Sequence, residues 1–106
     1  MAKMKDLQKK VLDFVERHNL KHSPEVSALD LVSEIGEVAK EILKSGNYGK
    51  IPPQKTAEMK AELGDALYSL ITLANALDID LEEALNLVLE KYEERIKKTD
   101  SSGSGR

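Results

Sequence analysis

The chain has 106 residues, enough for one domain and too few for two ordinary hydrophobic cores. Its residues are 33% charged and 41% hydrophobic, which excludes a disordered chain, and a net charge of −3 argues against a dedicated nucleic-acid binder with its basic face. With no cysteine, disulfides and thiolate metal sites are excluded as well.

Leu, Ala, Glu and Lys dominate and aromatics are rare, a mixture that favours helices over strands. The first helix is expected from about Met4 to His18, where Leu7, Val11, Phe14 and Val15 form a helical stripe, followed by a loop over Asn19 to His22. Ser23-Pro24 is a helix start, with serine as N-cap and proline at the first helical position. The second helix then carries Leu29, Val32, Ile35, Val38, Ala39, Ile42 and Leu43 until Gly46 stops it. Ser45 to Pro53 reads as a loop.

The third helix spans roughly Gln54 to Leu77, with Met59, Leu63, Ala66, Leu67, Leu70, Leu73, Ala74 and Leu77 toward a core. Asp80 with Glu83 resembles a capping box that opens a fourth helix reaching about Lys98. The expectation is a single helical domain over 1–99 and a low-complexity, mobile tail over 100–106. Four helices with short connections make an all-α, four-helix bundle-like fold, and helices this apolar are expected to finish their burial in a homodimer or homotetramer. The longest apolar stretch, Leu67 to Leu77, is too short for a bilayer and no signal-peptide pattern opens the chain, so the expected location is cytoplasmic, with no membrane partner.

Glu34-Ile-Gly-Glu37 and Glu62-Leu-Gly-Asp65 repeat one pattern on the second and third helices. Each pair sits at i and i+3, hence on one helix face. If the helices pack face to face, four carboxylates converge, and two unit charges about 6 Å apart at an effective dielectric near 20 repel by roughly 3 kcal/mol. A hard divalent cation relieves this, most economically magnesium, which takes oxygen ligands and commonly brings phosphates with it. Asp13/Glu16 and Glu90/Glu93 share the spacing but read as ordinary solvated charge. The central pairs differ in lying beside apolar stripes and in holding a mid-helix glycine, which suggests close packing or space for a ligand. Asp30 and Glu41 extend the acidic stripe of the second helix, and Glu58 that of the third.

Four stretches taken in order resemble the MazG-like all-α nucleoside triphosphate pyrophosphohydrolases. They are Ser-Glu34-x-Gly-Glu37-Val, Glu62-Leu-Gly-Asp65-Ala-Leu-Tyr, the turn from Asp78 to Ala84, and Lys91-Tyr-x-x-Arg95. The resemblance implies hydrolysis of a (deoxy)nucleoside triphosphate at the α–β phosphoanhydride by metal-activated water, giving monophosphate and pyrophosphate for nucleotide-pool clearance. It makes Glu34, Glu37, Glu62 and Asp65 ligands of magnesium, with manganese able to stand in. Many members carry a further glutamate just before the first pair, where this chain has Ser33. That leaves catalytic work on water to Glu34 and Glu37 with Glu41 or a coordinated water.

Lys91 and Arg95 share a face of the fourth helix and are candidates for holding phosphate, or else pair with neighbouring Glu90 and Glu94. His22 and Tyr48 are candidates to stack on a base, and Asn47 to bond its edge. A phosphoribosyl-ATP-like substrate and a non-enzymatic helical interaction module stand as alternatives.

Overall fold

Side-chain caps set most of the helix boundaries in the computed structural model, which describes residues 3–102. The order is α1 (Met4–Arg17), α2 (Pro24–Ser45), α3 (Ala57–Ala76) and α4 (Leu81–Ser102), with no strand among the described residues. Ser23 Oγ accepts from the Val26 N–H at 3.3 Å and Pro24 takes the first position of α2. Thr56 Oγ1 accepts from the Met59 N–H at 3.0 Å, so α3 begins at Ala57 rather than at Gln54. Gln54 instead donates its backbone N–H to Ser45 Oγ, at 3.2 Å, pinning the loop to the end of α2. Asp80 Oδ1 accepts from the N–H groups of Glu82 and Glu83, at 2.9 and 3.2 Å, opening α4.

The C-terminal ends of α1 and α3 close alike. Asn19 and Asp78 both adopt φ of 56°, a left-handed conformation that Asn and Asp tolerate better than other side chains do. The next residue then folds back, Leu20 N–H to the Val15 carbonyl at 2.8 Å and Ile79 N–H to the Ala74 carbonyl at 2.9 Å. At the end of α2 a Cβ on Gly46 would stand 2.9 Å from the Ile51 carbonyl, so glycine is what lets the loop return over that point. The fourth helix runs past Lys98 to Ser102, and residues 103–106 of the expected tail lie outside the described residues.

The principal contact is α2 against α3 in antiparallel register; α1 packs on α3, and α4 chiefly on α1. Among the described residues, Val15, Ala66, Ile71 and Ala74 are the buried apolar ones, Ile71 the most enclosed at 2% exposure. Gln8, buried on α1, ties three elements together. Its Nε2 donates to Asn75 Oδ1 (3.0 Å) and the Ile79 carbonyl (2.9 Å), and its Oε1 accepts from the Leu81 N–H at 2.9 Å. Asn75 Nδ2 returns a bond to the Gln8 carbonyl at 3.0 Å. Gln8→Leu strips partners from this part-buried set and is expected to cost about 2 kcal/mol. The check is a lowered urea midpoint with unchanged slope; an unmoved midpoint would mean that solvent replaces the amide without loss.

The apolar faces expected to point into a core do not all do so within one chain. Leu29 and Val32 are 70% and 71% exposed, and Ile35, Leu43 and Leu63 also lie open. The reason is that α3 covers only the side of α2 carrying Ser27, Leu31 and Val38. A compact chain of this mass exposes about 5,900 Å², against 8273 Å² here. Its radius of gyration is 17.5 Å, where compact packing gives about 13 Å. Nor do the mid-helix glycines answer to packing within the chain, since a Cβ on Gly36 or Gly64 would meet nothing within 4 Å.

Candidate metal centre and adjoining cavity

The antiparallel register brings the middle of α2 against the first half of α3. Glu34, Glu62 and Asp65 each offer a carboxylate oxygen there, all within 4.8 Å of one another. An octahedral cation with oxygens at about 2.1 Å spaces its ligands about 3 Å apart in cis and about 4.2 Å in trans. A small side-chain adjustment therefore seats all three, and the all-oxygen set suits a hard divalent ion. Glu37 and Glu41, on the same stripe of α2, are half-buried and engaged by lysines: Glu37 with Lys40 at 3.2 Å and Glu41 with Lys44 at 3.8 Å. The hydrogen bond and charge of Glu37, with weaker pulls from Glu41 and Glu62, raise the Lys40 ammonium above its ordinary value.

Glu62 bears the electrostatic load of the cluster. Partial desolvation, then the charges of Glu37, Asp65 and Glu34, and lastly a hydrogen bond with Asp65 hold its carboxyl above its ordinary value. The folded chain thus binds this proton more tightly than the unfolded chain does. The stability it contributes is present below the unfolded value and is lost as pH rises through the raised one. In chelator, the melting temperature is expected to fall slightly across the window just above the ordinary carboxylate range. Added magnesium is expected to restore it, with a larger shift at mildly alkaline than at mildly acidic pH, measured by thermal denaturation. A shift that shrinks with rising pH would speak against carboxylate ligation.

Beside this cluster, toward the start of α2 and the end of α3, a cavity of about 520 Å³ opens between α1, α2 and α3. Asp30, one turn before Glu34, and Tyr68 and Ser69, one turn after Asp65, belong to its wall. His22 lines it as well. Asn47 and Tyr48 do not: they sit at the far end of α2, a helix about 33 Å long. One chain therefore does not bring His22 together with Asn47 and Tyr48. Those two hold left-handed φ values of 49° and 56° in an exposed turn. Lys91 and Arg95 lie on exposed α4, each 5.6 Å from the centroid of the Tyr92 ring between them, on a helix that leans on α1 rather than on the α2–α3 groove. Ser33 and Glu58 are exposed.

Sequence reasoning passed over Ser27 and Ser69, buried residues of the cavity wall. The available signal was a hydroxyl at a position in step with apolar Leu31 and Val38 on α2 and with Ala66 and Leu73 on α3.

Comparison with known proteins agrees with the geometry. The family described as the MazG nucleotide pyrophosphohydrolase domain matches residues 22–99. The uncharacterized protein YpjD of Bacillus subtilis (strain 168) is 38% identical over 98 residues, covering 89% of this chain and 86% of that protein. The crystal structure of the Bacillus-conserved MazG protein, a nucleotide pyrophosphohydrolase, superposes with a TM-score of 0.73 at 35% identity, over 87% of this chain and 90% of that one. That of the putative pyrophosphatase YPJD from Bacillus subtilis gives 0.72 at 38% identity, over 87% and 94%. With the family matching most of its length and its four helices following the same architecture, the chain belongs to the MazG nucleotide pyrophosphohydrolases.

Proposed function

We propose that the chain hydrolyses (deoxy)nucleoside triphosphates to the monophosphate and pyrophosphate in a magnesium-dependent reaction, with manganese as a substitute. The observation that carries this is the convergence of Glu34, Glu62 and Asp65 across the α2–α3 groove. When bound there, magnesium supplies positive charge to phosphate oxygens and makes water more acidic. Glu34, Glu62 and Asp65 hold it, and Glu37 joins them as a fourth carboxylate on release from Lys40. Glu41, at the end of the same stripe and paired with Lys44 in this chain, is our candidate to take a proton from water. Lys91 and Arg95 stand on α4, away from this groove within one chain, so phosphate contacts from them require a second copy of the chain. The ligand is a mononucleotide rather than nucleic acid. No described helix is long and apolar enough to cross a membrane, and the nucleotide pool sets the proposed location as cytoplasmic.

The working form is a homo-oligomer. Leu29, Val32, Gly36, Ala39 and Leu43 step along α2 by three and four residues, the spacing of a helix-pairing seam. The seam lies on the side of α2 away from the carboxylate stripe, and its large residues are open to solvent. A second copy of the chain presents the same face, as a two-fold interface requires.

The deciding experiment incubates the purified protein with standard and modified NTPs and dNTPs plus magnesium and separates products by ion exchange. Monophosphate and pyrophosphate, absent in chelator, are expected. Diphosphate and orthophosphate would reject cleavage at the α–β bond. Turnover of phosphoribosyl-ATP alone would move the substrate, and no turnover with any of them would reject the hydrolase reading.

A further inference from the structure

We infer that Lys40 serves the metal centre in two positions: its ammonium holds Glu37, and it passes to the phosphate oxygens of the ligand when Glu37 turns to a metal ion. The inference rests on the hydrolase reading and adds to it a phosphate-holding residue on α2 of the same chain.

Glu37 belongs to the carboxylate cluster by charge but not by position. After desolvation, its charge is the largest influence on the Glu62 carboxyl, ahead of those of Asp65 and Glu34. Yet the carboxylates that come within 4.8 Å of one another are Glu34, Glu62 and Asp65. Glu37 Oε1 stands instead 3.2 Å from Lys40 Nζ, one turn further along α2. The ammonium in turn feels Glu37 first, then Glu41 and, across the groove, Glu62. It sits at the rim of the cluster as a cation of the protein's own.

That ion pair is easily exchanged. Its side chains are 57% and 43% exposed, for Lys40 and Glu37, and a pair so open to water holds weakly. Lysine also carries its charge on a flexible four-carbon stem, with three donors that rotate to meet new acceptors. A divalent ion seated among the other three carboxylates brings twice the charge of an ammonium to Glu37.

Charge balance gives the released ammonium its next partner. Glu34, Glu37, Glu62 and Asp65 together exceed one divalent ion by two negative charges, and a polyphosphate adds more. Such a ligand needs cations besides the metal, and lysine meets phosphate as a point charge. Lys44, the other basic residue of α2, pairs at 3.8 Å with Glu41, further from the cluster. On α3 the one basic residue is Lys60, two positions before Glu62 and so turned to the opposite side of the helix. Among the described residues of these two helices, Lys40 is the one whose ammonium pairs with an acid of the four.

The test titrates magnesium alone, and then inorganic pyrophosphate with magnesium saturating, into the intact protein by calorimetry. Lys40→Met, checked for folding by a thermal melt, is expected to bind magnesium about two- to five-fold more tightly, because Glu37 has no ion pair to give up. It is expected to bind pyrophosphate about ten-fold or more weakly, because a charge-assisted hydrogen bond is lost. KM for the triphosphate should rise with the latter. Lys44→Met makes the same change of charge one turn on and is expected to weaken pyrophosphate binding by about two-fold or less. Opposite shifts confined to Lys40→Met carry the inference. Affinities for magnesium and pyrophosphate that move the same way, or either one standing still, would overturn it, as would equal effects from Lys44→Met. A wild type that binds no magnesium, or no pyrophosphate beside it, overturns it too. A wild type that binds both and turns over no nucleotide sinks the hydrolase reading alone, and the two titrations still decide the role of Lys40.

Discussion

Glu62→Gln is expected to leave a better-folded and inactive protein. Removing even an outer partner of a metal ligand commonly costs 10–100-fold, so loss of a ligand should lower turnover by about 100-fold or more. The substitution keeps the shape of the side chain and removes the charge that desolvation, Glu37, Asp65 and Glu34 together disfavour. The melting temperature in chelator should therefore equal or exceed that of the wild type. The wild type gains stability with magnesium, by about 2.7 kcal/mol at a hundredfold excess over the dissociation constant, and the variant should lose most of that gain. This pattern separates a metal ligand from a structural acid. Were Glu62 part of a stabilising network, the variant would melt lower in chelator and keep its response to magnesium, and the proposed centre would be wrong.

The carboxylate cluster was legible because its information is local and periodic. Two acid pairs at i, i+3 on consecutive helices need only an antiparallel hairpin to converge, and Glu34, Glu62 and Asp65 do so. Helix starts were legible where one residue holds the whole signal, as at Ser23-Pro24 and Asp80. The start of α3 was not, since Gln54, Lys55 and Thr56 all suit a first turn and only the hydroxyl of Thr56 decides among them. Spacing likewise places Glu37 on the right stripe without revealing that Lys40, one turn on, engages it. His22, Asn47 and Tyr48 are all loop residues in sequence, and their separation appears only when α2 is drawn at its full length. Ser27 and Ser69 carry no motif, and their burial is a property of the packed chain.

Val32→Asp is expected to convert the protein to monomers without unfolding it. At 71% exposure the aspartate costs the single chain little, but in a paired seam it would bury a charge against its symmetry mate. The surplus of about 2,400 Å² over a compact chain exceeds the roughly 800 Å² per partner of a standard interface and suits an obligate one. Sedimentation over a range of concentrations should show the wild type as an oligomer and the variant at 11.8 kDa. Gly36 offers a reciprocal check. Among the described residues, nothing beyond its own helix turn lies within 4 Å of a Cβ there, so Gly36→Leu should gain about 1 kcal/mol of helix propensity in a monomer. In a closely packed seam the added side chain separates the helices, and association weakens although the helix itself is better formed. A Gly36→Leu protein that associates as well as the wild type would move the interface off this face of α2. A wild type that sediments as a monomer at every concentration would remove the interface altogether.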